Sequence, residues 1–293
     1  MNENFLDLSE KIDSNALEAL SLVAQIAESL NARFFVAGAT ARDAILKLGY
    51  DINTGRATVD LDLGVQVADW DHYDKLKEGL VATGRFHATR EIHRLMYNDQ
   101  IPLDFLPFGA IADSGGHLSW PPEHGVSMSV LGFEESYRHS LVVRLSSNPN
   151  LDIRFASVAG LALMKIISWN DRRLTSAKDA TDLALIIHNY ALAGNEKRLF
   201  DEVADLFESE EFDYEKAGAR LLGRDIAEIA NAESKKVILE ILDRETGEQA
   251  RYRLVEQMTI RYLDFDYDFD KNLQLLEELK LGTLDMPKKE EFD

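Results

Sequence analysis

The sequence predicts an α+β fold, in which a small mixed sheet with flanking helices is followed by an all-α domain. Segments typical of strands, with apolar residues at every second position or in short apolar runs, occur before residue 150. The remaining sequence shows helical periodicity alone. The polar run Ser146-Ser147-Asn148-Pro149-Asn150 separates the two parts. We therefore predict one domain over residues 1–150 and a helical domain over residues 151–293.

Composition narrows the class of protein. A hydrophobic content of 45% with 29% charged residues is ordinary for a soluble globular chain. The absence of cysteine excludes disulfides and zinc–thiolate sites. Apolar runs stay short of the roughly 20 residues that a membrane helix needs, and the N-terminus lacks the pattern of a secretory signal, so we expect a cytoplasmic protein without a membrane partner. A net charge of −20 opposes phosphate backbones, which argues against general DNA binding.

The first elements predict an anion site. Helical spacing indicates a helix over residues 14–31 with Ser14 as its N-cap, followed by a buried strand over residues 33–37. The chain then turns at Gly38 into a further helix, where free backbone N–H groups and the positive end of the helix dipole attract anions. Thr40 adds a hydroxyl donor and Arg42 a charge. The alternative interpretation is an ordinary strand-to-helix turn.

The segment from Arg56 to Val65 alternates apolar and polar residues, which predicts a strand with two distinct faces. We expect one face to lie in the core, formed by Val59, Leu61, Leu63, Val65 and Val67. Asp60 and Asp62 fall on the other face, about 7 Å apart along the strand. Two parallel carboxylates repel each other unless a positive charge lies between them, so the pair predicts a divalent metal. Exposure of both acids to solvent is the alternative.

A third carboxylate lies in a later apolar strand. After a predicted helix over residues 70–80, two strands over residues 94–97 and 101–108 flank a short turn. Asp104 interrupts the second strand, and a charge there needs a partner or a metal. Adjacent strands would bring Asp104 beside Asp60 and Asp62. The loop over residues 113–125 is interpreted as a surface connection, and strands are expected over residues 127–133 and 140–145.

The second part of the chain places charges on predicted helices. A helix over residues 155–170 carries Lys165 on its apolar face, and a helix from about Ser176 carries Asp179 and Asp182 three residues apart. In the alternative interpretation, Lys165 extends its ammonium group to water and the two acids form surface ion pairs. Residues 195–281 predict a succession of charged amphipathic helices.

With these motifs in order, the chain resembles the nucleotidyltransferase superfamily, and within it the AbiEii-type toxin-related nucleotidyltransferases of bacteria. The resemblance covers about residues 15–190, and its first motif departs from the family pattern, with Gly38-Ala39 where Gly-Ser or Gly-Gly is usual. The motifs that carry it are Gly38-Ala39-Thr40 with Arg42-Asp43, Thr58-Val59-Asp60-Leu61-Asp62-Leu63, Leu103-Asp104-Phe105, Lys165, and Lys178-Asp179-Ala180-Thr181-Asp182-Leu183.

The resemblance implies a nucleotidyltransferase-like fold and a set of site roles. Asp60 and Asp62 would bind Mg²⁺, with Mn²⁺ as the alternative, and Asp104 would be a third ligand or the general base. The triphosphate of a nucleoside triphosphate such as ATP would be bound by the Gly38 motif (Gly38, Ala39, Thr40 and Arg42) and by Lys165. Asp179 would act on the acceptor or support Lys165.

The resemblance also implies a reaction and partners. A nucleoside monophosphate would be transferred to an acceptor that the sequence does not identify: tRNA, a protein or a small molecule. The enzyme would be the toxin of a toxin–antitoxin or phage-defence system, with an antitoxin protein as partner. The alternatives are a catalytically inactive binding module with the same fold and a nucleotidyltransferase that modifies a small hydroxylated molecule. A glycosyltransferase is disfavoured, because Rossmann-type alternation is absent from the sequence pattern.

Overall fold

The computed structural model describes residues 5–55, 58–122, 125, 127–203, 212–247, 249–260 and 268–285. The chain divides into two compact units, Met1–Leu161 and Ala162–Asp293. The predicted division between residues 150 and 151 therefore differs from the division in the structure. The polar run on which that prediction rested forms the turn of a β-hairpin, whose second strand continues the sheet.

The N-terminal unit is built on an eight-stranded mixed sheet in the order β1-β9-β10-β2-β3-β6-β5-β4, and a two-stranded sheet pairs β7 with β8. From β1 to β6, parallel pairs (β1/β9, β10/β2 and β3/β6) alternate with antiparallel ones, and the last two pairs, β6/β5 and β5/β4, are both antiparallel. The strands are β1 Phe5–Asp7, β2 Arg33–Ala37, β3 Leu61–Gln66, β4 Phe86–Ala88, β5 Arg94–Tyr97, β6 Ile101–Phe108, β7 His117–Ser119, β8 Ser127–Ser129, β9 Leu141–Ser147 and β10 Asn150–Phe155.

The helices that flank this sheet are α1 Ser14–Ser29, α2 Gly38–Asp43 with its π-helical continuation Ala44–Gly49, α3 Trp70–Ala82 and α4 Phe133–Arg138. Aromatic rings of the sheet pack against α4, with Phe35 and Phe108 each about 6 Å from the ring of Phe133. The predicted cap of α1 was wrong by one residue. The carboxylate of Asp13 accepts hydrogen bonds from the first N–H groups of this helix, a role that was assigned to Ser14.

Strand β3 confirms most of the predicted core face. Leu61, Leu63 and Val65 are buried, as is Val67 just after the strand. The assignment of Val59 to the core was wrong, because the strand begins at Leu61 and Val59 is 62% exposed in the preceding segment. The first two residues of the predicted strand, 56 and 57, lie outside the described residues.

Two elements of the N-terminal unit differ from the sequence prediction. The predicted helix over residues 155–170 includes Phe155, which is the last residue of β10, whereas helix α5 (Val158–Arg172) begins three residues later. The expected strand over residues 127–133 is limited to β8, after which the chain turns into α4. In both places a strand is followed almost immediately by a helix, so the two periodicities overlap in the sequence.

As predicted, the described residues of the C-terminal unit form helices, which turns and short connections join, and none of them forms a strand. The division between the units lies within α5 (Val158–Arg172). The later helices are α6 Lys178–Asn189, α7 Glu196–Arg198, α8 Tyr214–Ile229, α9 Ala232–Thr246, α10 Arg253–Met258 and α11 Phe269–Leu284, with π-helical segments Ala191–Asn195 and Leu199–Val203 around α7. Among the described helices of the whole chain, none combines the length and the apolar character that a membrane span needs.

Helices α8 and α11 pack closely because glycines lie where they cross. A Cβ atom on Gly223 would lie 2.1 Å from the backbone oxygen of Leu279, and one on Gly282 would lie 2.0 Å from the backbone oxygen of Arg220. The end of α11 is also held electrostatically, because the carboxylate of Asp285 accepts hydrogen bonds from Arg220 and Arg224.

Candidate functional site

Four neighbouring strands bring the predicted acidic residues together. Asp62 on β3 is in register with Ala37 on β2 and with Asp104 on β6, and Asp104 is in register with Arg94 on β5. Register partners in a sheet project to the same face, so Asp62, Asp104 and Arg94 share one face. The predicted proximity of Asp104 to Asp62 is confirmed.

Gly38 lies directly against the carboxylate of Asp62. A Cβ atom at this position would lie 1.9 Å from Asp62 Oδ2, and Gly38 has a φ of +59°, in the left-handed region that favours glycine. Space and backbone conformation therefore both require glycine here. The first turn of α2 starts at this residue, so its backbone N–H groups begin beside the carboxylate.

Asp60 is positioned by Thr40. It lies just before β3, and its side chain is 50% exposed. The Thr40 hydroxyl donates a 2.6 Å hydrogen bond to the backbone oxygen of Asp60. This bond connects the first turn of α2 to the segment that enters β3. In this structure the hydroxyl therefore holds the backbone that carries one of the predicted metal ligands.

Arg42, predicted to supply charge to the anion site, is buried. Its guanidinium donates two hydrogen bonds, of 2.9 and 2.7 Å, to Oδ1 of the neighbouring Asp43. Asp43 Oδ2 is buried and has no hydrogen-bond partner among the residues that the structure describes. Ala39, in the same turn of α2, is partly exposed. The roles predicted for Arg42 and Ala39 in nucleotide binding stay predictions.

Arg94 is the site residue that the sequence analysis missed. Its Nε and Nη2 donate hydrogen bonds of 2.6 and 2.8 Å to the two carboxylate oxygens of Asp104, and Nη2 lies 3.7 Å from Asp60 Oδ2. The bonds to Asp104 raise the pKa of the Arg94 guanidinium above its usual range, so it stays charged. Counting back across the short turn between β5 and β6 would have placed Arg94 opposite Asp104.

The site brings together three carboxylates, those of Asp60, Asp62 and Asp104. The guanidinium of Arg94 contacts Asp60 and Asp104, and the imidazole of His93 lies 3.8 Å from Asp104. Neighbouring carboxylates repel one another, which favours a bound cation.

A divalent metal fits part of this donor set. Over the described part of the chain, no group of three or more histidine, aspartate or glutamate side chains is arranged to hold a metal. Mg²⁺ needs only one or two protein carboxylates when substrate phosphates and water supply the other oxygens. Asp60 and Asp62 meet that requirement. Asp104 could bind a metal only if Arg94 moved away, because Arg94 donates hydrogen bonds to both of its carboxylate oxygens.

Lys165 and Asp179 form a separate cluster within the C-terminal unit. Lys165 Nζ lies 3.1 Å from Asp179 Oδ1 and 2.5 Å from Asp182 Oδ2, and Arg172 donates a 2.7 Å hydrogen bond to Asp179 Oδ2. Asp179 is 1% exposed. Burial alone would lower the pKa of Lys165, but Asp182 and Asp179 outweigh it and raise that pKa above its usual value. The predicted support of Lys165 by Asp179 is consistent with this contact, while their catalytic roles stay predictions.

The sequence profile described as "Nucleotidyl transferase AbiEii toxin, Type IV TA system" matches residues 21–271. The chain belongs to this family. It is therefore a nucleotidyltransferase, and the family resemblance predicted from the Gly38, Asp60/Asp62 and Asp104 motifs is confirmed. The α+β class is confirmed as well, with a sheet larger than expected.

Several solved structures resemble this AbiEii-family chain at a low level. The antibiotic-resistance factor ANT(2'')-Ia is 14% identical with a TM-score of 0.35, and the match covers 67% of this chain and 98% of that one. A CCA-adding enzyme in complex with ATP is 13% identical with a TM-score of 0.35, over 93% of this chain and 71% of that one. The Thermotoga maritima CCA-adding enzyme complexed with tRNA is 10% identical with a TM-score of 0.32, over 94% and 82%. No curated protein matches the sequence.

Proposed function

We propose that this AbiEii-family enzyme transfers the nucleoside monophosphate of a nucleoside triphosphate to a hydroxyl group of an acceptor. The acceptor oxygen forms a bond to the α-phosphorus, the bond to the leaving pyrophosphate breaks, and the hydroxyl loses its proton. The observation that carries the proposal is the convergence of three carboxylates: Asp62 lies against Gly38 and in register with Asp104, and Arg94 contacts both Asp104 and Asp60.

Asp60 and Asp62 hold the divalent cation in this proposal, which is Mg²⁺, with Mn²⁺ as the alternative. The chemistry supplied by the bound metal is neutralisation of the triphosphate oxygens and of the charge that develops during transfer. Two properties of the chain support this assignment. Both residues have the carboxylate oxygens that hard cations prefer, Thr40 holds the backbone of Asp60, and the carboxylate of Asp62 lies against Gly38.

The triphosphate binds at the start of α2. Gly38 leaves room for the carboxylate of Asp62 beside this turn, and the N–H groups of the first helical turn favour an anion. Arg42 is paired with Asp43, and Lys165 with Asp179 and Asp182. Their predicted contacts with phosphate require these ion pairs to open.

Asp104 has its proposed role as third ligand or general base only after Arg94 moves. Both carboxylate oxygens of Asp104 accept hydrogen bonds from Arg94. A triphosphate gives a guanidinium an alternative bidentate anion. We therefore propose that bound nucleotide draws Arg94 from Asp104 and that the freed carboxylate accepts the proton of the acceptor hydroxyl.

Labelled nucleotides test this function directly. Purified protein is incubated with cell extract and each α-³²P-labelled nucleoside triphosphate, with Mg²⁺ or with EDTA, and the RNA, protein and small-molecule fractions are counted. We expect label in one fraction, only with the metal, and a loss of about a hundredfold or more in the Asp62→Asn variant. Transfer by Asp62→Asn at the wild-type rate would refute the metal assignment.

The proposal also concerns the identity of the acceptor and the presence of an antitoxin protein. Membership in a family of type IV toxins supports a cytoplasmic toxin that an antitoxin protein counteracts. The fraction that becomes labelled decides between tRNA, a protein and a small hydroxylated molecule. Expression of the wild-type protein should slow bacterial growth, and the Asp62→Asn variant should not.

A further inference from the structure

A cavity of about 510 Å³ in the C-terminal unit is lined by four arginines. We call it the arginine pocket and define it by Arg173, Arg244, Arg251 and Arg253. These arginines contrast with the chain as a whole, in which 52 acidic residues outnumber 32 basic ones. Four guanidinium groups around one cavity repel one another, so their convergence needs an explanation.

Arg244 is fixed in place. Its Nε donates a 3.0 Å hydrogen bond to Glu245, its Nη2 donates a 2.8 Å bond to Asn170, and its guanidinium lies 5.9 Å from the ring centre of Trp169. Glu245 is itself buried and accepts a 3.1 Å hydrogen bond from the backbone N–H of Leu254. These contacts make the Arg244 guanidinium a rigid part of the pocket wall.

Arg251 and Arg253 are both exposed. Among the residues that the structure describes, neither side chain has a hydrogen bond or an ion pair with a neighbour. Arg173 donates hydrogen bonds to the backbone oxygen and the side chain of Asn170, both neutral acceptors. Three of the four guanidinium groups therefore lack a compensating carboxylate within the described part of the chain.

The rest of the lining sets the character of a ligand. Glu245 is committed to Arg244 and to Leu254, so Glu256, which is exposed, is the acid in the lining without such contacts in the described chain. The lining keeps a positive excess. Leu174, which is 75% exposed, adds an apolar surface. The volume lies within the range of small-molecule sites, about 300–1,000 Å³, and exceeds what a single phosphate ion needs.

We propose that the arginine pocket binds a phosphorylated ligand of nucleotide size, with its phosphates on Arg251 and Arg253 and its apolar part near Leu174. Guanidinium groups bind phosphate through paired, charge-assisted hydrogen bonds. This binding is independent of the proposed nucleotidyl transfer, because it uses neither the aspartates of the N-terminal unit nor a metal.

Calorimetry with ADP in EDTA tests the proposal, and adenosine serves as the ligand without phosphate. We expect the full-length protein to bind ADP and not adenosine. Arg251→Ala and Arg253→Ala should each raise the dissociation constant about tenfold. Both side chains are exposed, so circular dichroism should show unchanged folding. Lys236→Ala, which removes an equal charge from the exposed face of α9, should bind ADP as wild type does.

A competition experiment shows whether the bound phosphates belong to a free nucleotide or to a nucleic-acid strand. Displacement of ADP by a short single-stranded oligoribonucleotide would assign the pocket to a nucleic-acid strand, and its failure to displace ADP would assign it to a free nucleotide. Either result supports the site. Absence of ADP binding at millimolar concentration, or wild-type binding by the Arg251→Ala/Arg253→Ala double variant, would overturn it. Loss of labelled transfer in Asp62→Asn with intact ADP binding separates this proposal from the proposed function.

Discussion

Two groups of charged residues in this enzyme differ in their ion pairs and in their exposure to solvent. In the N-terminal unit, Asp60 and Asp104 contact the guanidinium of Arg94, Asp62 lies in register with Asp104, and Asp60 is half exposed. In the C-terminal unit, the carboxylates of Asp179 and Asp182 are matched by the cations of Lys165 and Arg172. The first group is open to solvent at Asp60, whereas the ammonium group and both carboxylates of the second group are largely buried. This difference predicts that the first group serves ligand binding and the second serves stability.

Asp60→Asn should produce the largest effect, a loss of transfer of about a hundredfold or more, because it removes a carboxylate from the proposed metal pair. Its melting temperature should be equal to or above that of wild type, because the substitution relieves repulsion among like charges. Asp99→Asn, at an exposed carboxylate, is the control for both measurements. A variant that melts early and transfers normally would reverse the contrast between the two groups.

Asp179→Asn should act in the opposite way. It leaves the buried Lys165 with a weaker set of partners, so the free energy of unfolding should fall by about 3 kcal/mol. Urea denaturation measures this, with Asp243→Asn as the control because that carboxylate forms an exposed pair with Lys280. If transfer per folded molecule collapses as well, the predicted catalytic role of the Lys165–Asp179 pair is supported.

Gly38→Ala tests the close packing of Gly38 against Asp62 in the N-terminal group. The added methyl group meets Asp62 Oδ2 and occupies a left-handed backbone conformation, so we expect a loss of about 2 kcal/mol in stability. Transfer should fall as well, because Asp62 must move away. Gly84→Ala has a similarly positive φ but no neighbouring atom within 4 Å, which isolates the backbone contribution. Equal activities in the two variants would remove Gly38 from the proposed site.

A third ion cluster, at the end of α11, gives a pH-dependent comparison. Partial burial disfavours ionisation of Asp285, but hydrogen bonds from Arg220 and Arg224 outweigh it and lower its pKa. The stabilisation is therefore present at neutral pH and is lost as the pH falls through the folded-state pKa, below about 4. Asp285→Asn should lower stability by about 1 kcal/mol at pH 7, after allowance for solvent screening, and the difference between the two melting temperatures should shrink as the pH falls below the ordinary aspartate range. A constant difference would contradict the assignment.

Arg94→Ala should have the smallest effect on the stability of the nucleotide-free protein. It tests whether Arg94 and the metal neutralise the same carboxylates. Without the guanidinium, Asp104 and Asp60 lose a positive neighbour, so metal-free protein should melt slightly earlier. Mg²⁺ should then stabilise the variant more than wild type, by on the order of 1 kcal/mol. Thermal melts with and without Mg²⁺ measure this. Equal responses would show that Arg94 and the cation do not share the same carboxylates.

The sequence predicts the acidic strand well and its surroundings less well. Alternation fixed the faces of β3, because burial on one side selects apolar residues at every second position. Alternation does not determine where a strand begins, which is why Val59 was placed in the core. The partner of Asp104 was missed for a related reason, since Arg94 becomes visible only through the register of β5 with β6.

For the cluster of Lys165, Asp179 and Asp182, the sequence predicts the helix faces that carry the charges but not the contacts between them. Lys165 is a charge that interrupts an apolar helical face, and the spacing of Asp179 and Asp182 places them on one face of the next helix. What the pattern does not contain is the distance between the two helices. That distance decides whether the ammonium group is paired or free, and in the structure it is paired.

The hydrogen bond from Thr40 to the backbone of Asp60 has a mechanical consequence. Because the chain before β3 is anchored to α2 at this point, we expect changes in residues 50–55 to leave the backbone of Asp60 in place. We expect insertions there to leave catalysis unchanged, whereas loss of the Thr40 hydroxyl should impair it.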